Sequence, residues 1–129
     1  MSYTTQMDAA RQGIITKEME LVAKKERMTP EEVRAYVAKG QIAIPCNKNH
    51  TCIDPNGIGS MLKTKINVNL GTSRDCKDLD VEVEKVKNAV DMGAESIMDL
   101  SSFGDTQVFR RRLTAECPAI IGTVPIYDA

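Results

Sequence analysis

One pattern constrains this chain more than any other: between residues 64 and 124, strand-like and helix-like segments alternate. "TKINVNL" at 64–70, "SIMDLS" at 96–101 and "AIIGTV" at 119–124 read as strands. Between the first two, "DLDVEVEKVKNAVDMG" at 78–93 puts Val83, Val86, Ala89 and Val90 on one helical face, with Gly93 as its stop. Between the last two, "DTQVFRRRLTAE" at 105–116 offers Asp105 as a cap, with Val108, Phe109 and Leu113 as its apolar residues. Strand, helix, strand, helix, strand predicts parallel βαβ units, because parallel neighbours need a crossover long enough to hold a helix. The interval of 29 residues from Asn69 to Met98 recurs from Met98 to Tyr127. That period suits the start of a (β/α)8 barrel, whose site lies at the C-terminal ends of its strands; a doubly wound sheet is the second choice. Asn69, Met98 and Tyr127 are thereby placed at three strand ends, either as site residues or as ordinary strand termini.

The residues before this pattern predict a helical region. Gly13 separates a helix over roughly 5–12 from an amphipathic one over 16–26, where Met19, Leu21, Val22 and Ala23 stand beside a charged face. "TPEEV" at 29–33 is a strong start signal, with Thr29 as cap, Pro30 at the first position and Glu32 closing a capping box. Gly40 should end that helix with a left-handed backbone. "QIAIP" at 41–45 reads as a strand, and "CNKNHTCIDPNGIGS" at 46–60 as a long loop, either substrate-facing or a linker. The expected division is 1–60 for the helical region and loop, and 61–129 for the start of the barrel.

Composition closes off several function classes. A net charge of −1 leaves no electrostatic footprint for nucleic acid. "RRR" at 110–112 reads as a solvated helix face, with an anion site as the alternative. Apolar runs are too short for a bilayer, and the N-terminus lacks a signal-peptide core, so the expected location is the cytoplasm. The four cysteines, at 46, 52, 76 and 117, have no CxxC spacing and are expected to be free thiols. His50 is the only histidine, which makes a Ser–His–Asp or multi-histidine metal site hard to build. "NLGTS" at 69–73 offers backbone N–H groups to a phosphate, or is a plain turn between strand and helix.

Five motifs carry a resemblance: "IPCNKNH" at 44–50, "GIG" at 57–59, "KTKINVNLGTS" at 63–73, "GAESIMDLS" at 93–101 and "GTVPIY" at 122–127. In this order they are similar to the radical S-adenosylmethionine pyrimidine synthases of thiamin biosynthesis, a family that also holds the anaerobic 5-hydroxybenzimidazole synthases. The similarity runs from "TQMDAARQGIIT" through Tyr127. It implies a (β/α)8 barrel preceded by a helical region, and a homodimeric enzyme. It also implies a [4Fe–4S] cluster that cleaves S-adenosylmethionine to a radical, zinc, and 5-aminoimidazole ribonucleotide as substrate. By motif, Asn69, Met98 and Tyr127 carry the family's substrate contacts. Asn69 would hydrogen-bond the ribonucleotide, Met98 would form a flexible apolar wall, and Tyr127 would supply a ring and a hydroxyl. Asp99, on the opposite side of its strand, is expected to be structural. Asn47, Asn49 and His50 are expected to line the substrate entrance.

"IPCNKNH", "DLSSFGD" and "CPAIIGTVPIYDA" depart from the usual pattern of the thiamin branch, with Phe103 and Asp128 beside presumed site positions. These departures favour the hydroxybenzimidazole product, with the thiamin pyrimidine phosphate as the alternative. The family's CxxCxxxxC cluster motif and its zinc-binding histidines are not in this sequence, so no metal ligand and no catalytic residue is assigned. The expectation is the N-terminal part of an enzyme, inactive by itself. A non-catalytic nucleotide-binding module and an oligomerisation domain are the competing readings.

Overall fold

A computed structural model describes residues 2–128. The chain divides into two compact units. One comprises the residues up to Cys46 with Pro55–Thr64; the other comprises Asn47–Asp54 with the residues from Lys65 on. The segment predicted as one long loop is thus shared between them.

In the first unit, three helices form where the capping residues place them. α1 (Gln6–Arg11) starts at Thr5, α2 (Lys17–Glu26) at Thr16 and α3 (Pro30–Ala38) at Thr29. Each threonine hydroxyl accepts an N–H of the first turn that the helix cannot satisfy. At α3 the box closes: the Glu32 carboxylate accepts the Thr29 N–H at 2.8 Å. Gly40, at φ 72°, takes the left-handed position after α3. Ala9, Ala10, Met19, Val22, Ala23, Val33 and Val37 make the core, joined by Ile42 and Ile44. The "QIAIP" strand is only Ile42–Ala43 (β1), and it pairs antiparallel with Ile58–Gly59 (β2), a strand that the loop reading missed. A strand of two residues carries no periodicity to read.

The second unit is an α/β layer. β3 (Asn67–Leu70), β4 (Ser96–Asp99) and β5 (Ile120–Thr123) form a parallel sheet in sequence order, joined by α4 (Leu79–Asp91) and α5 (Thr106–Glu116). The strands are shorter than 64–70, 96–101 and 119–124, because their flanking residues turn away into loops. Asp78 caps α4 and Asp105 caps α5. Both helices pack on one face, where Val83, Val86, Ala89, Phe109 and Leu113 meet Leu70 and Ile97. Ile97, Phe109 and Leu113 are at most 2% exposed, and each contributes about 1.5–3 kcal/mol by leaving water. Val108, expected with them, is exposed instead. A short 3-10 turn, Pro125–Asp128, follows β5. Among the described residues no helix is long and apolar enough to cross a membrane.

Candidate functional site at the strand ends

Strand alternation decides which side chains face away from the helices. In β3 these are Asn67 and Asn69, in β4 Ser96 and Met98, and in β5 Ile120 and Gly122. Register puts Asn69 beside Met98 and Met98 beside Gly122, so the three form one row near the carboxyl ends of the strands. The row is built around the missing side chain: a Cβ on Gly122 would lie 2.9 Å from Met98 Cε and 3.0 Å from its Sδ. Met98 therefore lies over Gly122. Asn69 is exposed, and its Oδ1 accepts the Asn67 amide N–H at 3.0 Å. Asn67 in turn accepts the Ser96 hydroxyl at 2.9 Å, which fixes the polar edge of the face.

Tyr127 is not level with that row. The offset between β3 and β4 is the 29 residues that the spacing gave, but β4 and β5 pair with an offset of 24, Ser96 with Ile120. The strand end reached at Met98 is reached in β5 at Gly122. Tyr127 comes five residues later, in the 3-10 turn, with its side chain exposed. A constant interval in sequence is a constant register only if the connections keep their length, and the second connection is shorter.

Beside Asn69 opens a cleft of about 490 Å³, lined by the β3–α4 turn, Lys85, Leu100 and Ser102. Its floor is two loops laced together. The Gly71 N–H is accepted by Glu82 Oε2 at 2.9 Å, the Thr72 N–H by Ser101 Oγ at 3.0 Å and the Ser73 N–H by the Cys76 carbonyl at 2.8 Å. All three donors of the turn are used internally, and the carboxylate nearest them repels an anion. "NLGTS" is thus a plain turn. Glu82 is 1% exposed and also holds Lys85 at 2.5 Å, a contact that keeps the Lys85 ammonium protonated above its ordinary range. Sequence reading missed Glu82 because a charged residue between apolar ones looks like a helix's solvated face. Its place in the first turn, one loop from Gly71, was the available signal.

Behind the row, Asp99 is fully buried. Its Oδ1 accepts the Ser101 N–H at 2.9 Å and its Oδ2 accepts Arg110 Nε at 2.8 Å. Arg110 is accordingly not on a solvated face: it also binds Asp128 at 2.5 Å, while Arg112 pairs with Asp80 at 2.7 Å. The Arg110 fork holds the Asp128 carboxyl below its usual range, helped by the Thr106 hydroxyl.

The residues expected at an entrance separate. Asn47 and Asn49 are exposed, and the Asn47 side chain accepts the Asn49 N–H at 2.9 Å. His50 is 3% exposed, which differs from an entrance role. Its Nε2 stands 2.6 Å from the Cys117 carbonyl and must donate, since a carbonyl only accepts. Cys52 donates to the same carbonyl at 3.3 Å. Segment 47–54 is thus anchored at the end of α5 by a carbonyl that two side chains share. All four cysteines are free thiols, and burial pushes the Cys117 thiol up. Among the described residues no three His, Cys, Asp or Glu side chains are grouped to hold a metal. A [4Fe–4S] cluster held by cysteines therefore does not fit on this chain.

Comparison with known proteins gives this geometry a context. The model of the radical SAM ThiC family matches residues 5–129. The phosphomethylpyrimidine synthase of Alkaliphilus oremlandii is 69% identical over the whole chain, and that of Clostridium botulinum (strain Hall) is 64% identical. The chain spans about 30% of the length of these relatives. Both carry the name of the pyrimidine product, which supports the thiamin alternative rather than the hydroxybenzimidazole reading. In the structure the Phe103 ring lies beneath the Lys77 ammonium, and the Asp128 carboxylate is bound by Arg110 and Thr106. On motif and match alike, the chain belongs to the radical SAM ThiC family.

Proposed function

We propose that this chain supplies one wall of the substrate site of a phosphomethylpyrimidine synthase, an enzyme of thiamin biosynthesis that rearranges 5-aminoimidazole ribonucleotide. The observation that carries the reading is the row Asn69–Met98–Gly122, open on the face away from the helices at the carboxyl ends of parallel strands. In this reading the strands continue into a (β/α)8 barrel with that face inside, because helices on one side of an in-order sheet leave the other side to be closed. Asn69 hydrogen-bonds the ribonucleotide, and Met98 packs a polarisable apolar surface against a ring. Tyr127 adds its ring and hydroxyl from the turn beyond β5.

Membership of a radical SAM family implies a [4Fe–4S] cluster and S-adenosylmethionine, which supply the radical when bound. Their ligands, and those of a zinc ion, belong in this reading to residues outside this chain, and so does the reacting centre. The whole enzyme is a cytoplasmic homodimer, and this chain without the remainder is inactive. What the present residues do is hold the substrate's polar edge and shape the space beside its ring.

The test uses the full-length enzyme carrying this sequence, with its cluster reconstituted without oxygen and supplied with S-adenosylmethionine and 5-aminoimidazole ribonucleotide. Mass spectrometry should find the phosphorylated pyrimidine. Hydroxybenzimidazole in its place would overturn the thiamin assignment. Asn69→Ala should raise KM about 10-fold, the loss of one or two hydrogen bonds to a bound ligand.

A further inference from the structure

We propose that Arg110 and Asp128 are a positioning pair that sets where Tyr127 stands relative to the end of β4; this rests on Tyr127 being a substrate-binding residue. The turn that carries Tyr127 has no hydrophobic anchor. None of its residues is buried: Ile126 is 72% exposed and Tyr127 51%. The Tyr127 N–H bonds the Val124 carbonyl at 3.0 Å, which shapes the turn but does not tie it to the fold. The tie is the carboxylate of Asp128, the next residue. Its Oδ2 accepts from Arg110 Nη1 at 2.5 Å and its Oδ1 accepts the Thr106 hydroxyl at 2.9 Å. Both partners belong to α5, one at its first residue and one a turn later.

The other arm of the same guanidinium reaches the strand that carries Met98. Arg110 Nε binds Asp99 Oδ2, and Asp99 is both fully buried and adjacent to Met98 in sequence. One planar group thus spans from the residue after Met98 to the residue after Tyr127. Lysine could not replace it, since a single ammonium lacks the fork that meets two carboxylates in fixed directions. Arg110 Nη2 is buried without an acceptor among the described residues, so the two carboxylates alone orient the group. A rigid link of this kind matters most where a binding residue sits on an exposed turn, because small misplacements weaken contacts steeply.

Arg110→Ala is a poor probe, since it leaves the Asp99 carboxylate buried without its partner and endangers the fold. The informative variants lie at the outer end. In the full-length enzyme, KM and kcat for 5-aminoimidazole ribonucleotide are measured for Asp128→Ala, Asp128→Glu, Tyr127→Ala and the double Tyr127→Ala/Asp128→Ala. Asp128→Ala is expected to raise KM about 10-fold, with a melting temperature within about 2 °C of the parent, and Asp128→Glu to recover most of the loss. The double variant should be no worse than Tyr127→Ala alone, because a positioning residue has nothing left to position. If Tyr127→Ala raises KM and Asp128→Ala does not, or if the two losses simply multiply, the pair is overturned while Tyr127 keeps its role. If Tyr127→Ala leaves KM unchanged, Tyr127 is not a binding residue, and the positioning role falls with it.

Discussion

Gly71 shows how little freedom a single position has where two loops cross. Its φ is 144°, and a Cβ there would meet the Ser101 nitrogen at 2.4 Å and the Leu100 carbonyl carbon at 2.7 Å. These are backbone atoms fixed by the lacing hydrogen bonds, so they cannot step aside. Gly71→Ala is expected to lower the unfolding free energy by about 3 kcal/mol, read as a shift of the urea midpoint at unchanged slope. Gly122 is the contrasting case, since a Cβ there meets only the flexible end of Met98. Asp128 gives a prediction with a sign. Its folded pKa lies below the ordinary carboxylate value because Arg110 favours the charged form. The stability it contributes is therefore present above the unfolded pKa of about 3.9 and is lost as pH falls through the lower folded value. The small gap in melting temperature between the parent and Asp128→Asn should be constant from about pH 7 to 5 and shrink as pH falls below the unfolded value. A gap that persists in acid would mean that the charge plays no part.

At the scale of elements, α5 carries the most weight for its length. It presents Phe109 and Leu113 to the sheet, and beside them Arg110 to two carboxylates, one of them on β4. Phe109 is 1% exposed, and Phe109→Ala should cost about 3–5 kcal/mol, a large part of what a small domain has. Thermal denaturation of the variant checks it; a loss below about 1 kcal/mol would mean that the site collapses around the gap. The helices were the legible elements. Thr5, Thr16, Thr29, Asp78 and Asp105 each stand where a cap must stand, and each helix begins at the next residue. The sheet was legible in order but not in detail. Strand ends depend on where neighbours stop pairing, which no local pattern records, so Tyr127 was read as a strand end that the register places at Gly122. β2 was invisible because Ile58–Gly59 holds its place through Gln41 and Ile42, far away in sequence. The row of Asn69 and Met98 was readable from alternation and spacing together. Gly122, which makes room for Met98, was not, since its role lies in an atom it lacks.

For the molecule as a whole, thiol chemistry offers a direct check on burial. Cys52 and Cys76 are exposed, Cys46 is intermediate and Cys117 is buried. Burial also raises the Cys46 and Cys117 thiols, which lowers the reactive thiolate fraction at both. Alkylation followed by peptide mass spectrometry should label Cys52 and Cys76 first and Cys117 last; early labelling of Cys117 would contradict its place in the core of the helix-covered layer. The same parallel sheet has a consequence in time as well as in space. Each strand of β3–β4–β5 lies beside the next one made, and both linking helices cover the same side. Each pairing closes a loop of 29 or 24 residues, so a strand has its partner as soon as the next strand–helix unit has been made. A chain leaving the ribosome can thus complete the helix-covered side of this layer as it emerges. The polar Asn67 and Asn69 edge keeps the uncovered side compatible with water meanwhile, so the surface proposed to face a ligand is also the one that tolerates waiting.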